Sequence, residues 1–361
     1  MDYGRKGAGK RKEMLTSKSL SARRKATTLW LLILLVLVIG GIGYAGYRVY
    51  GYVKNTIENA PDISSIDATP SGYMSTVYDA SGNVSAQLVG TGSNRVYATL
   101  DEIPKNLQYA FVAIEDERFY EHNGIDIKGI IRAGMQGITS GSFSEGASTI
   151  TQQLLKNNVF DGWTSETSAE RVQRKIQEQY LAIELEKEVS KDWIMENYLN
   201  TINLGQNTLG VQAASNRYFG KDVSELTLSE CAVLAAITQN PSRYNPIAHP
   251  EENEERRRKV LVNMLDQGYI SQEEYEEALS DDVYSRIEEN NTIFESSPDN
   301  VTSYFVDALT EEVIEDLQTE LGYSEAQAYQ ALYSGGLTIY STQDPDIQSI
   351  CDQVVSDDSN Y

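Results

Sequence analysis

Residues Pro104-Lys-Asn-Leu-Gln-Tyr-Ala-Phe-Val-Ala-Ile-Glu-Asp-Glu-Arg-Phe-Tyr-Glu-His-Asn-Gly124 decide how this chain is read. Leu107, Phe111 and Ile114 recur at helical spacing, so the stretch predicts an amphipathic helix followed by a turn. Glu115 falls at the edge of the apolar stripe, with Asp116 beside it and His122 and Gly124 past the turn. A carboxylate held there is partly desolvated, which suits a general base working near neutral pH. A helix-end Glu-Asp pair in solvent accounts for the same residues, and composition alone favours it.

Working outward, the helical pattern continues from Pro104 to about Leu279. Capping boxes stand at Thr167-Ser-Ala-Glu170 and Ser271-Gln-Glu-Glu274, and glycines break the run at Gly124, Gly205, Gly220 and Gly268. Residues 104–280 are therefore expected to form one compact α domain. Upstream, residues 48–103 alternate short apolar runs with turn signals such as Thr69-Pro-Ser-Gly72 and Ala80-Ser-Gly-Asn83, and predict a stalk with short strands. Downstream, residues 281–300 are polar and read as a linker. A helix over Thr302 to Leu321 and a strand-like Gly336-Leu-Thr-Ile-Tyr-Ser-Thr342 follow, the start of a second α/β domain over 301–361.

The chain of 361 residues is long enough for two domains, and its 40% apolar content is ordinary for folded protein. Its net charge of −23 is unevenly spread. Residues 1–26 hold nine Lys/Arg against Asp2 and Glu13, about +7, and the remainder sums to about −30. No charged residue occurs from Thr27 to Tyr47, a stretch long enough to cross a bilayer as one helix. Arg23-Arg24-Lys25 precedes it and Arg48 alone closely follows, so residues 1–26 are expected in the cytoplasm, 27–47 in the membrane and the rest outside. A cleaved signal peptide is the rival, but the stretch is long for one and no clear Ala-x-Ala site follows. The acidic ectodomain argues against a nucleic-acid partner. Cys231 and Cys351 are too few for a disulfide framework, and Cys231, inside Cys231-Ala-Val-Leu-Ala-Ala-Ile237, reads as a buried thiol.

Two further clusters carry chemistry. On the helix beginning at Thr167, Arg171, Arg174, Lys175, Glu178 and Ala182 are spaced three or four apart and share a face, so that cations surround one carboxylate. On these residues alone an exposed salt-bridged helix face is the favoured account. In Glu145-Gly-Ala-Ser-Thr-Ile-Thr-Gln-Gln-Leu-Leu-Lys-Asn157, a glycine-containing loop meets hydroxyls, two amides and a lysine, a helix start that offers N–H groups and a cation to an anion. A capped helix with a polar face is the plainer account. The order of a nucleotide-binding P-loop is absent.

Together these segments resemble, in order over residues 104–279, the glycosyltransferase domain of class A penicillin-binding proteins. Glu115-Asp-Glu-Arg-Phe-Tyr-Glu-His-Asn-Gly124 matches the family's E-D-x-x-F-x-x-H-x-G. Gly146-Ala-Ser-Thr-Ile-Thr-Gln-Gln-Leu-Leu-Lys-Asn157 matches G-x-S-T-I-x-Q-Q-x-x-K-N, and Arg174-Lys-Ile-Gln-Glu178 with Ala182 and Glu186 matches R-K-x-x-E-x-x-x-A-x-x-x-E. Met195-Glu-Asn-Tyr-Leu-Asn200 with Gly205 and Gly210, Leu234-Ala-Ala-Ile-Thr-Gln-Asn-Pro241, and Arg257-Arg-Lys-Val-Leu261 with Met264 fit the later motifs.

The resemblance implies a mainly α, lysozyme-like fold behind a single transmembrane helix. It adds a membrane-dipping lobe near 127–165, where Ile130, Ile131, Met135, Ile138, Phe160 and Trp163 supply either a lipid-facing surface or ordinary core. The stretch from Val159 to Thr167 is more acidic and polar than the family pattern leads one to expect. The implied reaction polymerises lipid II: the 4-hydroxyl of an acceptor sugar attacks the anomeric carbon of a glycan on polyprenyl diphosphate, with inversion. Such a reaction needs a base and positive charge for the departing diphosphate. By resemblance Glu115 is the base and Lys156, Arg174 and Lys175 cradle the diphosphate. Asp116, His122, Ser148, Thr149, Gln152, Gln153 and Asn200 join the substrate site. Glu178 is the second catalytic carboxylate, stabilising oxocarbenium-like charge or, with Asp116, holding a divalent cation, Mg or Mn. Expected partners are lipid II, membrane lipid, and cell-wall synthesis and division proteins.

A lysozyme-like hydrolase is one alternative, but it needs a protonated acid in place of a cation cradle. A silent membrane scaffold is another, and retention of Glu115 and Glu178 speaks against it. Near the C-terminus, Ser334-Gly-Gly-Leu-Thr-Ile-Tyr-Ser-Thr-Gln-Asp-Pro-Asp-Ile-Gln348 resembles the opening of the transpeptidase domain of the same proteins. Its S-x-x-K nucleophile motif does not occur in these residues, so peptide crosslinking is not expected of this chain.

Overall fold

A computed structural model describes residues 5–16, 18–90, 95–140, 148–160, 166–206, 208–296 and 304–356. The chain divides into two units, Met1–Ala60 and Pro61–Tyr361. The first holds α1 (Arg5–Thr16) and the 41-residue α2 (Lys18–Glu58). From Leu29 to Ile39 every side chain of α2 is exposed, and its most apolar window has mean hydropathy 2.4 with none of it buried. A helix apolar on all faces has no polar side to offer water. Among the described residues it is the one helix long and apolar enough to cross a membrane, and the expected span 27–47 lies within it.

In the second unit the helices run α3 (Lys105–Glu115), α4 (Ile127–Ser140), α5 (Ile150–Asn158), α6 (Ser168–Glu188), α7 (Lys191–Thr201) and α8 (Val211–Phe219). They continue as α9 (Leu228–Ile237), α10 (Pro250–Asp266), α11 (Gln272–Ser280) and α12 (Val283–Ser296). α9 is the centre: every residue from Ser229 to Ile237 is buried, and α3 and α10 lie against it. That all-round burial is why its sequence is an unbroken apolar run with Cys231 as a small hydrophobe inside it. α5 in turn packs between α6 and α7. Both expected capping boxes are formed, at Thr167 and Ser271, and a third at Thr227 opens α9.

Gly124, Gly205, Gly220 and Gly268 all have positive φ. At Gly124 (φ +86°) a Cβ would lie 2.5 Å from the backbone of Ala182, so only glycine lets the turn after α3 press against α6.

The stretch expected to be a linker continues the domain. α12 covers its larger part, with Val283 and Ile287 buried against Val233. One apolar pair at i,i+4 is enough to dock a helix whose other faces are polar, and that is too sparse to register as periodicity.

The strands are also arranged in a way the sequence did not announce. β1 (Ser75–Tyr78) pairs antiparallel with β2 (Val84–Leu88) and parallel with β3 (Thr338–Tyr340), in the order β2-β1-β3. α13 (Tyr304–Thr319) and α14 (Glu325–Ser334) pack beside this sheet, burying Val77, Leu88, Val306 and Leu332 together, and α15 (Pro345–Ser356) follows. The stalk strands and the strand of the C-terminal segment thus share one small sheet.

Candidate active site

α3 delivers Glu115 in its last turn, after Leu107 and Phe111 have been buried in the core. The Glu115 side chain is 14% exposed and surrounded by donors from three other segments. Gln153 Nε2 of α5 donates to Oε2 at 2.9 Å, and Thr238 Oγ1, at the end of α9, donates to Oε1 at 2.5 Å. Arg256 Nη2 of α10 stands 3.6 Å from the same Oε1. Each of these groups presents a hydrogen-bond donor or a positive charge to the carboxylate.

Asp116 plays a different part. It is buried, its Oδ2 accepts the backbone N–H of Ile150 at 2.9 Å, and both its oxygens lie within 3.0 Å of His122 Nε2. Asp116 and His122 therefore tie the turn after α3 to the first turn of α5. Thr149 adds a second tie. Its hydroxyl donates to the Gly124 carbonyl at 2.7 Å and caps α5 by accepting the N–H of Gln152. Gln152 is buried, and among the described residues its Nε2 has no hydrogen-bond partner.

The cation cluster lies on α5 and α6. Glu178 is fully buried, with Oε1 on Arg174 Nη1 and Oε2 on Lys175 Nζ at 2.7 Å. Lys175 also donates to Ser148 Oγ at 3.0 Å. Arg174 is engaged on its other edge, where Nε and Nη2 reach Glu166 at 2.8 and 2.5 Å. Arg171 pairs with Glu166 at 3.2 Å, so of the three expected cations two gather on Glu178 and the third turns away. The Arg174 guanidinium holds the Glu166 carboxyl down at about 2. Lys156 lies on α5, three residues after Gln153. Burial pushes its ammonium below the usual lysine range, and Lys175 and Arg174 push the same way, while Glu178 and Glu115 oppose them. Lys156 thus responds to Glu115 and to the cationic cluster alike.

Asn200 stands apart. It is buried 102 residues along the chain from its main partner, donating to Ala98 O at 2.8 Å and accepting Ala98 N–H at 2.9 Å, and so straps the upstream segment onto α7. The residues do not fit a divalent metal. Both oxygens of Glu178 are taken by cations, those of Asp116 by His122 and Ile150, and no group of three or more His, Cys, Asp or Glu suited to a metal occurs among the described residues.

Sequence reasoning missed Thr238, Arg256 and Glu166 as site residues. The first two fall within or beside matched motifs, but without a fold nothing aims them at Glu115. The even choice over the 127–165 lobe divides by residue. Ile131 and Met135 on α4 are 57% and 65% exposed, one turn apart, and Ile130 is 37% exposed, whereas Phe160 packs on the core. The side chains of Ile138 and Trp163 lie outside the described residues, as does 161–165 of the acidic stretch.

The family profile described as Transglycosylase matches residues 81–265. The chain belongs to that family, with the glycosyltransferase domain of class A penicillin-binding proteins. It is 40% identical over 335 residues to penicillin-binding protein 1A of Clostridium perfringens (strain 13 / Type A), covering 89% of this chain and 47% of that protein. To penicillin-binding protein 1F of Bacillus subtilis (strain 168) it is 40% identical over 287 residues, 80% of this chain and 37% of that one. To penicillin-binding protein 1A of Escherichia coli (strain K12) it is 35% identical over 332 residues, 92% of this chain and 36% of that one. The chain spans less than half the length of these relatives. A solved structure of penicillin-binding protein 1A from Haemophilus influenzae aligns at 24% identity with a TM-score of 0.36, covering 75% of this chain and 27% of that one, too slight a likeness to bear on the fold.

Proposed function

We propose that this chain is a peptidoglycan glycosyltransferase that polymerises lipid II into glycan strands. The observation that carries the reading is α5, from which Gln153 donates to Glu115 at 2.9 Å while Lys156 carries an ammonium influenced by Lys175, Glu178 and Arg174 as well as by Glu115. A carboxylate and a cation cluster linked through one short helix suit a reaction whose nucleophile loses a proton while its leaving group departs as an anion.

In this reading the acceptor's 4-oxygen bonds to the anomeric carbon from the face opposite the diphosphate, so α becomes β. The bond to the diphosphate oxygen breaks with its electron pair, and the hydroxyl proton passes to Glu115. Diphosphate, already a good leaving group, needs charge and not a proton, which Lys156, Arg174 and Lys175 supply. Gln153 orients the base, and Asp116, His122 and Thr149 hold the helix that bears Gln153 and Lys156. Arg174 must then exchange Glu166 for phosphate oxygens. α2 crosses the membrane with the basic N-terminal block in the cytoplasm and the domain outside, and the exposed apolar face of α4 meets lipid near the substrate.

The test is incubation of the detergent-solubilised chain with purified lipid-linked disaccharide-pentapeptide, with products resolved by length. Polymer supports the transferase; cleavage of preformed glycan without polymer points to a hydrolase.

A further inference from the structure

Thr238 has one hydroxyl proton and two acceptors within reach. Glu115 Oε1 is 2.5 Å away and the carbonyl of Ala235, one turn back in α9, is 3.1 Å away. An ionised carboxylate at the shorter distance takes the proton in preference to a neutral carbonyl. Once Glu115 carries a proton the demand reverses, since the carboxylic acid donates and needs an acceptor. The Thr238 oxygen serves as that acceptor while its own proton turns to Ala235. Arg256 approaches through its guanidinium and can only donate, and Gln153 could accept only by turning its amide over, which would withdraw Oε1 from the Tyr198 hydroxyl.

We propose, resting on the transferase reading above, that Thr238 is a positioning residue that holds Glu115 in both of its protonation states, so that the base takes the acceptor's proton without changing rotamer. The remaining charged groups around Glu115 are fixed in kind: Arg256 from α10, Lys156 from α5, and Asp116 adjacent in the chain. Tyr198 from α7 donates to Gln153 Oε1 at 3.4 Å and so supports the amide that faces Oε2. Among the described residues, Thr238 is the one partner of this carboxylate that can switch from donor to acceptor by turning its hydroxyl alone.

The experiment compares the full chain with Thr238→Val, which keeps the shape and removes the hydroxyl, and Thr238→Ser, which keeps the hydroxyl. Polymerisation is followed at limiting and saturating lipid-linked disaccharide-pentapeptide. The expected result is a roughly tenfold fall in kcat for Thr238→Val with KM within about twofold of the parent, and recovery to within about threefold in Thr238→Ser. A valine variant with the parent's kcat, or a serine variant as slow as the valine one, overturns the inference. The carbon-13 carboxyl resonance of Glu115, located by its disappearance in Glu115→Gln, provides a readout independent of turnover. It should move in Thr238→Val and return in Thr238→Ser. A parent that makes no polymer sinks the transferase reading while this resonance still decides the contact, and a resonance that stays put in Thr238→Val sinks the contact itself.

Discussion

The carboxylate of Asp116 accepts the backbone N–H of Ile150 at 2.9 Å, so the residue next to the proposed base anchors the helix that carries Gln153 and Lys156. The E-D pair is thereby divided in its duties: Glu115 keeps part of its side chain exposed, whereas that of Asp116 is buried against His122 and Ile150. His122 on the same carboxylate braces the turn after α3, and Asp116 joins that turn to the start of α5.

Asp116→Ala leaves the Ile150 amide and His122 Nε2 buried without their acceptor. We expect it to lose about 2–4 kcal/mol of stability, with polymerisation falling in parallel. Thermal unfolding beside the activity assay checks this. A variant that melts like the parent but is inactive would assign Asp116 to the substrate instead.

Gly124→Ala should destabilise by about 2–4 kcal/mol, combining a positive φ with a Cβ driven into the backbone of Ala182. Since the Gly124 carbonyl also receives Thr149 Oγ1, the variant should loosen the start of α5, seen as faster amide exchange at Ile150 to Gln153. Parent-like exchange there would show that the two turns are not coupled.

Much of this was legible in the sequence, and the reasons differ by element. α3 declares itself by its apolar stripe, whose Leu107 and Phe111 are buried, and α6 by its capping box at Thr167. The grouping of Arg174, Lys175 and Glu178 follows from spacing on one helix. What spacing cannot show is the approach of groups far apart in the chain. Thr238 and Arg256 reach Glu115 across 123 and 141 residues, and β3 joins β1 across some 260, each through tertiary packing that leaves no local mark. Glu166 belongs to the acidic stretch that departs from the family pattern, and its charge matches the guanidinium it binds.

Glu166 yields a pH prediction. Its folded-state carboxyl is depressed to about 2 by Arg174 from an ordinary value near 4.5, so the pairing stabilises the fold above about pH 4.5 and is lost as pH falls toward 2. Parent and Glu166→Gln should therefore differ in melting temperature near neutral pH and converge across that window. A difference that persists unchanged at pH 2 would mean the pair is not the cause. Because Arg174 is freed, the same variant should also lower KM for the diphosphate-linked substrate.

Arg257 lies in a matched motif but serves the scaffold. It is buried and donates to Ser229 Oγ at 2.6 Å, the Ala278 carbonyl at 3.0 Å and Glu254 at 2.6 Å. Arg257→Met should cost about 3–5 kcal/mol while the folded fraction keeps the parent's kcat. Loss of kcat at unchanged stability would move Arg257 into the site.

The central claim is that Glu115 takes the acceptor's proton, and the most direct measurement is polymerisation by Glu115→Gln beside the parent, on the same lipid-linked disaccharide-pentapeptide and at matched folded concentration. The account predicts length-resolved glycan from the parent and a loss of at least about a hundredfold in the variant, with its melting temperature preserved because glutamine still meets Thr238 and Gln153. Polymer made by Glu115→Gln at near the parent's rate would contradict it.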